Sequence, residues 1–137
     1  MMQKIKTVCV IDDDPIFVFG AKRLMKEAGF CNSILVYNNG QEGLEQLKIL
    51  MNSPNLEEIP DIIFLDLNMP VMDGWEFLDR FTKINPPKSI VIYIVTSSIS
   101  SYDKQRAEEY ASAIKQYVIK PITPTKLKEI IDSYQKS

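Results

Sequence analysis

The sequence predicts an α/β fold: a doubly wound, five-stranded parallel sheet with five helices on its two faces. Two observations predict it. Short, β-prone apolar runs alternate with longer amphipathic segments five times along the 137 residues, and this alternation is typical of a parallel sheet covered by helices. The runs are also continuously apolar, as expected for strands that are buried on both faces.

Each strand is predicted by its apolar run and by the polar residues that follow it. The first run is followed directly by three aspartates, and the third ends just before Asp66. The fourth is followed by hydroxyl residues beginning at Thr96, and the fifth by Lys120 and Pro121. The predicted strands comprise residues 7–11, 33–37, 61–65, 89–95 and 116–119.

The helices were located by their apolar stripes and their end signals. In the first helix the stripe predicted to face the sheet comprises Phe17, Ala21, Leu24 and Ala28, and Gly29 ends the helix. Thr123 and Pro124 are typical of an N-cap and a first helical position. Residues 52–60 contain two prolines and are predicted to form a solvated loop. The predicted helices comprise residues 15–28, 41–51, 75–84, 101–113 and 124–134.

The strand order along the chain brings distant polar residues to one edge. In open parallel sheets the functional crevice lies beyond the carboxyl ends of the strands. The residues predicted to meet there are Asp12, Asp13, Asp66, Thr96 and Lys120. Apart from the adjacent Asp12 and Asp13, these residues are far apart in sequence. They are predicted to meet because each lies at or just past the end of a strand.

Composition narrows the possible functions. The size predicts a single domain over residues 1–137 with no effector domain. The net charge of -2 predicts no nucleic-acid or membrane-surface partner, and no apolar run approaches the roughly 20 residues that span a bilayer. We therefore expect a cytoplasmic protein. The chain has no His, which excludes His-based triads, His-ligated zinc and a phosphohistidine within this chain.

The predicted edge has the chemistry of phosphoryl transfer. Two carboxylates about 5 Å apart repel by roughly 3 kcal/mol at an effective dielectric constant near 20, so the cluster requires a positive partner. Carboxylates with water and a backbone carbonyl suit Mg²⁺. A lysine and a hydroxyl can donate to phosphoryl oxygens, and a carboxylate can serve as the nucleophile.

Four motifs carry a resemblance to a known family. They are VIDDDP at residues 10–15, FLDLNMPVMDG at 64–74, TSS at 96–98 and YVIKP at 117–121. In this order and at strand ends, the chain resembles the receiver domain of two-component response regulators over essentially its whole length. The resemblance implies a flavodoxin-like sheet of strand order 2-1-3-4-5. It also implies a stand-alone signalling module that catalyses only its own phosphorylation and slow dephosphorylation.

The resemblance implies the roles of the acidic residues. Asp66 matches the phosphoacceptor, and Asp12 and Asp13 match the acidic pair that holds Mg²⁺ directly or through water. The backbone carbonyl of Asn68 matches the remaining protein ligand. Asp14 is expected to cap the following helix.

The resemblance also implies the switch and the charge partner. Thr96 matches the switch hydroxyl and Tyr117 the switch aromatic. Lys120 matches the lysine that pairs first with the acceptor and then with the phosphoryl group. Pro121 matches a proline whose peptide bond with that lysine is usually cis. Asp61 and Asp103, by contrast, are expected to be strand-edge caps or residues of solvated faces.

Partners follow from the same resemblance. The phosphodonor would be a sensor histidine kinase or a His phosphotransfer protein, which supplies the His that this chain lacks. The output would pass to an unknown downstream protein through a surface whose candidate residues are Ile99, Tyr102, Tyr110, Tyr117 and Lys126. Ile16 and Phe19 fall off the buried stripe of the first helix and are candidates for docking the kinase.

Other functional classes differ in the residues that they require. A phosphorelay intermediate that returns the group to a second His protein uses the same residues, so it stays an open alternative. A pseudo-receiver disagrees with the complete set of site residues, and a small-molecule hydrolase lacks a pocket motif. Residues 66–77 do not complete a calcium loop, because Val71 and Phe77 occupy the positions of its Gly and Glu.

Overall fold

The computed structural model describes residues 5–135, so both ends of the predicted 1–137 domain lie outside the described residues. Within them, five strands form one parallel sheet of order β2-β1-β3-β4-β5. The strands are β1 (Thr7–Ile11), β2 (Ser33–Tyr37), β3 (Ile62–Leu65), β4 (Val91–Thr96) and β5 (Ile114–Ile119). The predicted fold class is confirmed, strand order included.

Five α-helices alternate with these strands. They are α1 (Pro15–Glu27), α2 (Gly40–Leu50), α3 (Gly74–Phe81), α4 (Ser101–Glu109) and α5 (Pro124–Gln135). A short 3-10 helix, Leu56–Glu58, lies within the segment predicted to be a loop. Helix α4 ends four residues earlier than predicted. The N–H groups of residues 110, 111 and 113 each bond to a carbonyl three residues back, which tightens the chain into a turn.

The sheet separates two apolar clusters. One contains Val8 and Val10 of β1 with buried residues of α1 and α5. The other contains Cys9 and Ile11 with buried residues of α2 and α3, and α4 adds the partly buried Ala107. Successive β1 side chains thus point to opposite faces and both faces are covered, which explains why the strands read as continuous apolar runs.

The buried face of α1 differs from the predicted stripe at its C-terminal end. Ala21 and Met25 are buried, whereas Phe17 and Leu24 are partly buried. Ala28 is exposed, so its predicted place on the stripe is wrong. It is the C-cap of the helix, where the chain turns through Gly29 at a φ of 61° and buries Phe30 instead.

No helix among residues 5–135 is both long and apolar enough to cross a membrane.

Candidate functional site

Two of the predicted carboxylates are held at the sheet edge by their own backbone. The Asp12 N–H donates to the Tyr37 carbonyl and the Asp66 N–H donates to the Ile11 carbonyl, both at 3.0 Å. Parallel pairing therefore continues one residue past β1 and β3. Asp12 is 2 % exposed and Asp66 is 6 % exposed. Asp13 is exposed, and one carboxylate oxygen from each of the three residues lies within 4.8 Å of the others.

Lys120 joins this cluster from the end of β5. Its Nζ lies 2.9 Å from Asp12 Oδ2 and 3.6 Å from Asp66 Oδ2, and its side chain is 14 % exposed. The Lys120 N–H donates to the Thr96 carbonyl at 2.8 Å, and the peptide bond to Pro121 is cis, as expected. One ammonium is therefore shared unequally between two buried carboxylates.

Burial and neighbouring charges shift the pKa values of Asp12 and Lys120. Burial raises the pKa of the Asp12 carboxyl above its usual value, and the Asp66 charge adds to this, while Lys120 and the Asp14 N–H oppose it. Burial by itself lowers the pKa of Lys120, but its close contact with Asp12 and the charges of Asp66, Asp12 and Asp14 raise that pKa overall. The ammonium is thus held in its charged form by neighbouring carboxylates.

The donor set suits a small divalent cation. Asp12 Oδ2 is buried and lies close to Lys120, yet no hydrogen-bond donor among the described residues is well aligned with it. Asp13 offers an exposed carboxylate and Asp66 a buried one. Asn68 is exposed in the loop two residues after Asp66. Carboxylate oxygens with access to water are the ligands that Mg²⁺ prefers, so the residues present fit this ion.

The loop after β3 fixes Asp66 through a close backbone approach. The Leu67 N–H donates to Asp66 Oδ1 at 2.8 Å, and the Gly74 N–H donates to the Leu67 carbonyl at 3.0 Å. A Cβ at Gly74 would lie 2.4 Å from the Asp66 carbonyl oxygen, so only glycine allows this approach. Asp73 caps α3 by accepting from the Glu76 N–H. The sequence indicated a turn here, but not that Gly74 shapes the Asp66 loop.

The two predicted switch residues meet at Ser98. Thr96 is fully buried at the end of β4, and its Oγ1 accepts from the Ser98 N–H at 3.3 Å. The Tyr117 hydroxyl donates to the Ser98 carbonyl at 2.9 Å. Burial raises the pKa of the Tyr117 phenol, so it keeps the proton that it donates. Ser98 thus links the backbone of the β4–α4 loop to both side chains.

A polar network behind Ser98 is not predicted by the local sequence pattern. Ser98 Oγ donates to Asp103 Oδ2 at 2.6 Å, and Trp75 Nε1 donates to Asp103 Oδ1 at 3.1 Å. The expectation that Asp103 belongs to a solvated face is wrong, because both of its oxygens accept bonds from other elements. The Ser-x-x-Asp pattern from Ser100 signals a helix start, and Ser100 does cap α4. This pattern does not predict that Asp103 accepts a hydrogen bond from Trp75.

The predicted output surface is partly changed by the same packing. Ile99 and Tyr102 are exposed, as expected. Tyr110 instead stacks on Trp75 with ring centroids 5.8 Å apart, and Arg106 lies 5.0 Å over the Trp75 ring. Tyr110 is therefore half-buried between α3 and α4.

The fold and the edge geometry define a class: a doubly wound α/β module with an acidic, lysine-paired crevice at the carboxyl ends of its strands. A family model for the response regulator receiver domain matches residues 8–132, and the chain belongs to this family.

Known proteins agree with this assignment. The sensor histidine kinase CheAY of Helicobacter pylori is 33% identical over 124 residues, covering 90% of this chain and 14% of CheAY. The nitrate/nitrite response regulator NarL of Escherichia coli is 33% identical over 129 residues, covering 91% of this chain and 52% of NarL. The chain thus spans about half of NarL and a small part of CheAY. A two-component response regulator structure from Cytophaga hutchinsonii is 27% identical with a TM-score of 0.85, covering 98% of this chain and all of that one.

Proposed function

We propose that Asp66 accepts a phosphoryl group from a phosphohistidine of a sensor histidine kinase or a His phosphotransfer protein, in a Mg²⁺-dependent reaction. One observation carries the proposal: a largely buried ammonium lies close to two buried carboxylates, within a cluster open to solvent through Asp13. In the reaction an Asp66 oxygen forms a bond to phosphorus while the P–N bond breaks. The electron pair of that bond leaves with the donor imidazole.

The contacts of Asp66 distinguish its two oxygens. Oδ1 accepts from the Leu67 N–H, whereas Oδ2 lies on the side of Lys120. We assign Oδ2 as the attacking atom, because the ammonium 3.6 Å away can follow the phosphoryl oxygens as their charge arrives. Lys120 would then leave Asp12 and pair with the phosphoryl group.

Asp12, Asp13, Asp66 and the backbone carbonyl of Asn68 would hold the ion. Magnesium, when bound, neutralises charge on the transferring oxygens. Asp12 would contribute its buried carboxylate, whose Oδ2 lies 2.9 Å from Lys120 Nζ and whose Oδ1 accepts from the Asp14 N–H. The exposed Asp13 would provide its ligand directly or through water.

The signal would leave through the β4–α4 loop. A phosphoryl group on Asp66 offers new acceptor oxygens. If the Thr96 hydroxyl turns to donate to one of them, the Ser98 N–H loses its acceptor and the bond from Tyr117 to the Ser98 carbonyl is strained. The loop and Tyr117 would repack together and change the surface around Ile99 for an unknown downstream protein.

The phosphodonor would dock on the exposed apolar part of α1. Ile16 is 83% exposed and Phe19 is 68% exposed, next to the acidic cluster. Apolar anchors of this kind carry much of the binding energy of helix-to-helix contacts. Ile16→Ser with Phe19→Ser should slow transfer from the cognate kinase about tenfold, a loss of about 1.4 kcal/mol of docking energy. Labelling by acetyl phosphate should stay unchanged, and equal losses with both donors would refute docking.

In this proposal the receiver domain acts in the cytoplasm and catalyses only its own phosphorylation and slow dephosphorylation. The decisive experiment incubates the protein with acetyl phosphate and Mg²⁺ and measures the added mass. We expect one phosphoryl group on the wild type and none on Asp66→Asn. Labelling that persists in Asp66→Asn would refute the acceptor. Rapid onward transfer to a second His protein, with no phosphorylation-dependent binding partner, would instead support a relay.

A further inference from the structure

Phe17, on the first turn of α1, contacts the functional lysine. The Lys120 Nζ lies 4.4 Å from the centroid of the Phe17 ring, well inside the roughly 6 Å over which an aromatic face attracts a cation. Phe17 is partly buried against the core cluster shared by α1 and α5. The ammonium therefore has carboxylates as near neighbours and an aromatic face as a further one.

An aromatic ring at position 17 offsets part of the cost of placing the Lys120 ammonium here. Lys120 lies beside the first turn of α1, where the positive end of the helix dipole disfavours a cation. The ammonium is also mostly withdrawn from water, with a side chain only 14 % exposed. An aliphatic side chain would desolvate the charge without compensation. The ring face carries negative electrostatic potential and supplies that compensation.

The backbone around the cap fixes the ring relative to the carboxylates. The Phe17 N–H and the Ile16 N–H both point to Asp14 Oδ1, at 3.4 Å and 3.0 Å. The Asp14 N–H donates to Asp12 Oδ1 at 2.9 Å. A chain of contacts thus runs from Asp12 through Asp14 to Phe17, and from Phe17 through Lys120 back to Asp12. The ring and the carboxylate that share the ammonium belong to one connected unit.

We propose that Phe17 is a positioning residue for phosphoryl transfer, and that its ring face keeps the Lys120 ammonium between Asp12 and Asp66. The role rests on the proposed phosphoacceptor function of Asp66. The ammonium starts nearer Asp12, at 2.9 Å, than Asp66, at 3.6 Å. It must shift towards Asp66 when the phosphoryl group arrives. Attraction to a ring face persists over a range of positions, so Phe17 can hold the ammonium throughout this shift.

The first test distinguishes the effect of the aromatic ring from the effect of side-chain volume. Phe17→Leu keeps an apolar side chain and removes the ring, whereas Phe17→Tyr and Phe17→Trp keep a ring. With acetyl phosphate and saturating Mg²⁺, we expect Phe17→Leu to be phosphorylated about fivefold more slowly, equivalent to about 1 kcal/mol. At least one ring variant should stay within about twofold of wild type. Leu24→Val is the matched control, because Leu24 packs against the same cluster from the same helix; its rate should not change.

The second test needs neither Mg²⁺ nor phosphoryl transfer. In protein labelled with ¹³C-lysine, the ε-methylene protons of Lys120 should be shifted upfield by the ring current, and Lys120→Arg identifies the signal by its loss. The shift should persist in the ring variants and vanish in Phe17→Leu. An unchanged rate or an unchanged lysine signal in Phe17→Leu would overturn the positioning role. Phosphorylation of Asp66→Asn would overturn the acceptor instead, and the lysine signal distinguishes the two failures.

Discussion

The two ends of the sheet bury carboxylates in opposite ways. At the amino ends of the strands, Asp61 Oδ2 accepts from the Lys6 N–H at 2.8 Å and the Thr7 N–H at 3.2 Å. Its Oδ1 pairs with Lys88 Nζ at 2.9 Å, with both side chains largely buried. Every oxygen of this carboxylate thus has a donor.

At the carboxyl ends, the buried carboxylates are paired less completely. Asp12 and Asp66 share the single ammonium of Lys120, and Asp12 Oδ2 has no aligned hydrogen bond among the described residues. Buried polar groups are normally satisfied, so a deficit in a folded protein calls for an explanation. The comparison teaches that the fully paired, saturated end has the contacts of a structural ion pair, whereas the other, deficient end has the incomplete pairing that the proposed function requires.

The largest expected effect is at the saturated end. Asp61→Ala leaves Lys88 and two N–H groups without their acceptor, so we expect a loss of about 3 kcal/mol in the free energy of unfolding. Urea denaturation measures it. Asp79→Ala is the control, because the Asp79 carboxylate forms an exposed pair with Lys83, and such pairs contribute about 0–1 kcal/mol. Equal, small losses in both variants would break the contrast between the two ends.

At the deficient end, adding a cation should stabilise the fold. Mg²⁺ at ten times its dissociation constant should raise the free energy of unfolding by about 1.4 kcal/mol, because the unfolded chain has no site. Asp13→Asn should stabilise the metal-free protein by about 0.5 kcal/mol through reduced repulsion and should weaken the response to Mg²⁺. Thermal melts with and without Mg²⁺ measure both. A variant that matches wild type in both conditions would exclude Asp13 from the ion site.

The contrast between the ends was predictable only in part from the sequence. The apolar runs located all five strands, and the signal is continuous in β1 and β3, where every residue is buried. In β5 the polar residues Lys115 and Gln116 interrupt the run, and the strand begins two residues earlier than predicted. The parallel order then placed Asp12, Asp66 and Lys120 at one edge. Their roles remain predictions that the experiments above test.

Pairings across the fold could not be predicted from local pattern. Asp61 meets Lys88 from 27 positions away, and Trp75 meets Asp103 from 28 positions away. Periodicity places a residue on a face but does not name its partner, which depends on how elements pack. Phe17 shows the same limit: the stripe indicated its burial, whereas its contact with Lys120 arises only when α1 lies beside the end of β5.

A smaller effect tests whether phosphorylation at the carboxyl ends of the strands changes the structure around Trp75. Trp75 is the only tryptophan and bonds to Asp103, which also accepts from Ser98. Phosphorylation should therefore change Trp75 fluorescence in the wild type. Thr96→Ala should still be phosphorylated but should lose this change and the NMR shifts around Tyr117. Identical spectra of phosphorylated and free wild-type protein would refute a conformational output.

The smallest expected effect is that of the Asp61 charge on Cys31, a half-buried thiol near the saturated end. Burial raises its pKa to about 11, the Ser33 N–H opposes this, and the charge of Asp61 adds to it. The thiolate is the reactive form, so at pH 8 only about one molecule in a thousand is reactive. Iodoacetamide should therefore modify Cys31 about tenfold to a hundredfold more slowly than an ordinary exposed thiol, because the higher basicity of the Cys31 thiolate offsets part of its lower abundance.

The rate of Cys31 modification should rise about tenfold per pH unit and level off near pH 11. Cys9 is fully buried and should stay unmodified in folded protein. Asp61→Asn keeps an acceptor oxygen but removes the charge, so it should speed modification about twofold. A plateau near pH 8.5, or no response to Asp61→Asn, would show that neither burial nor this carboxylate controls the thiol.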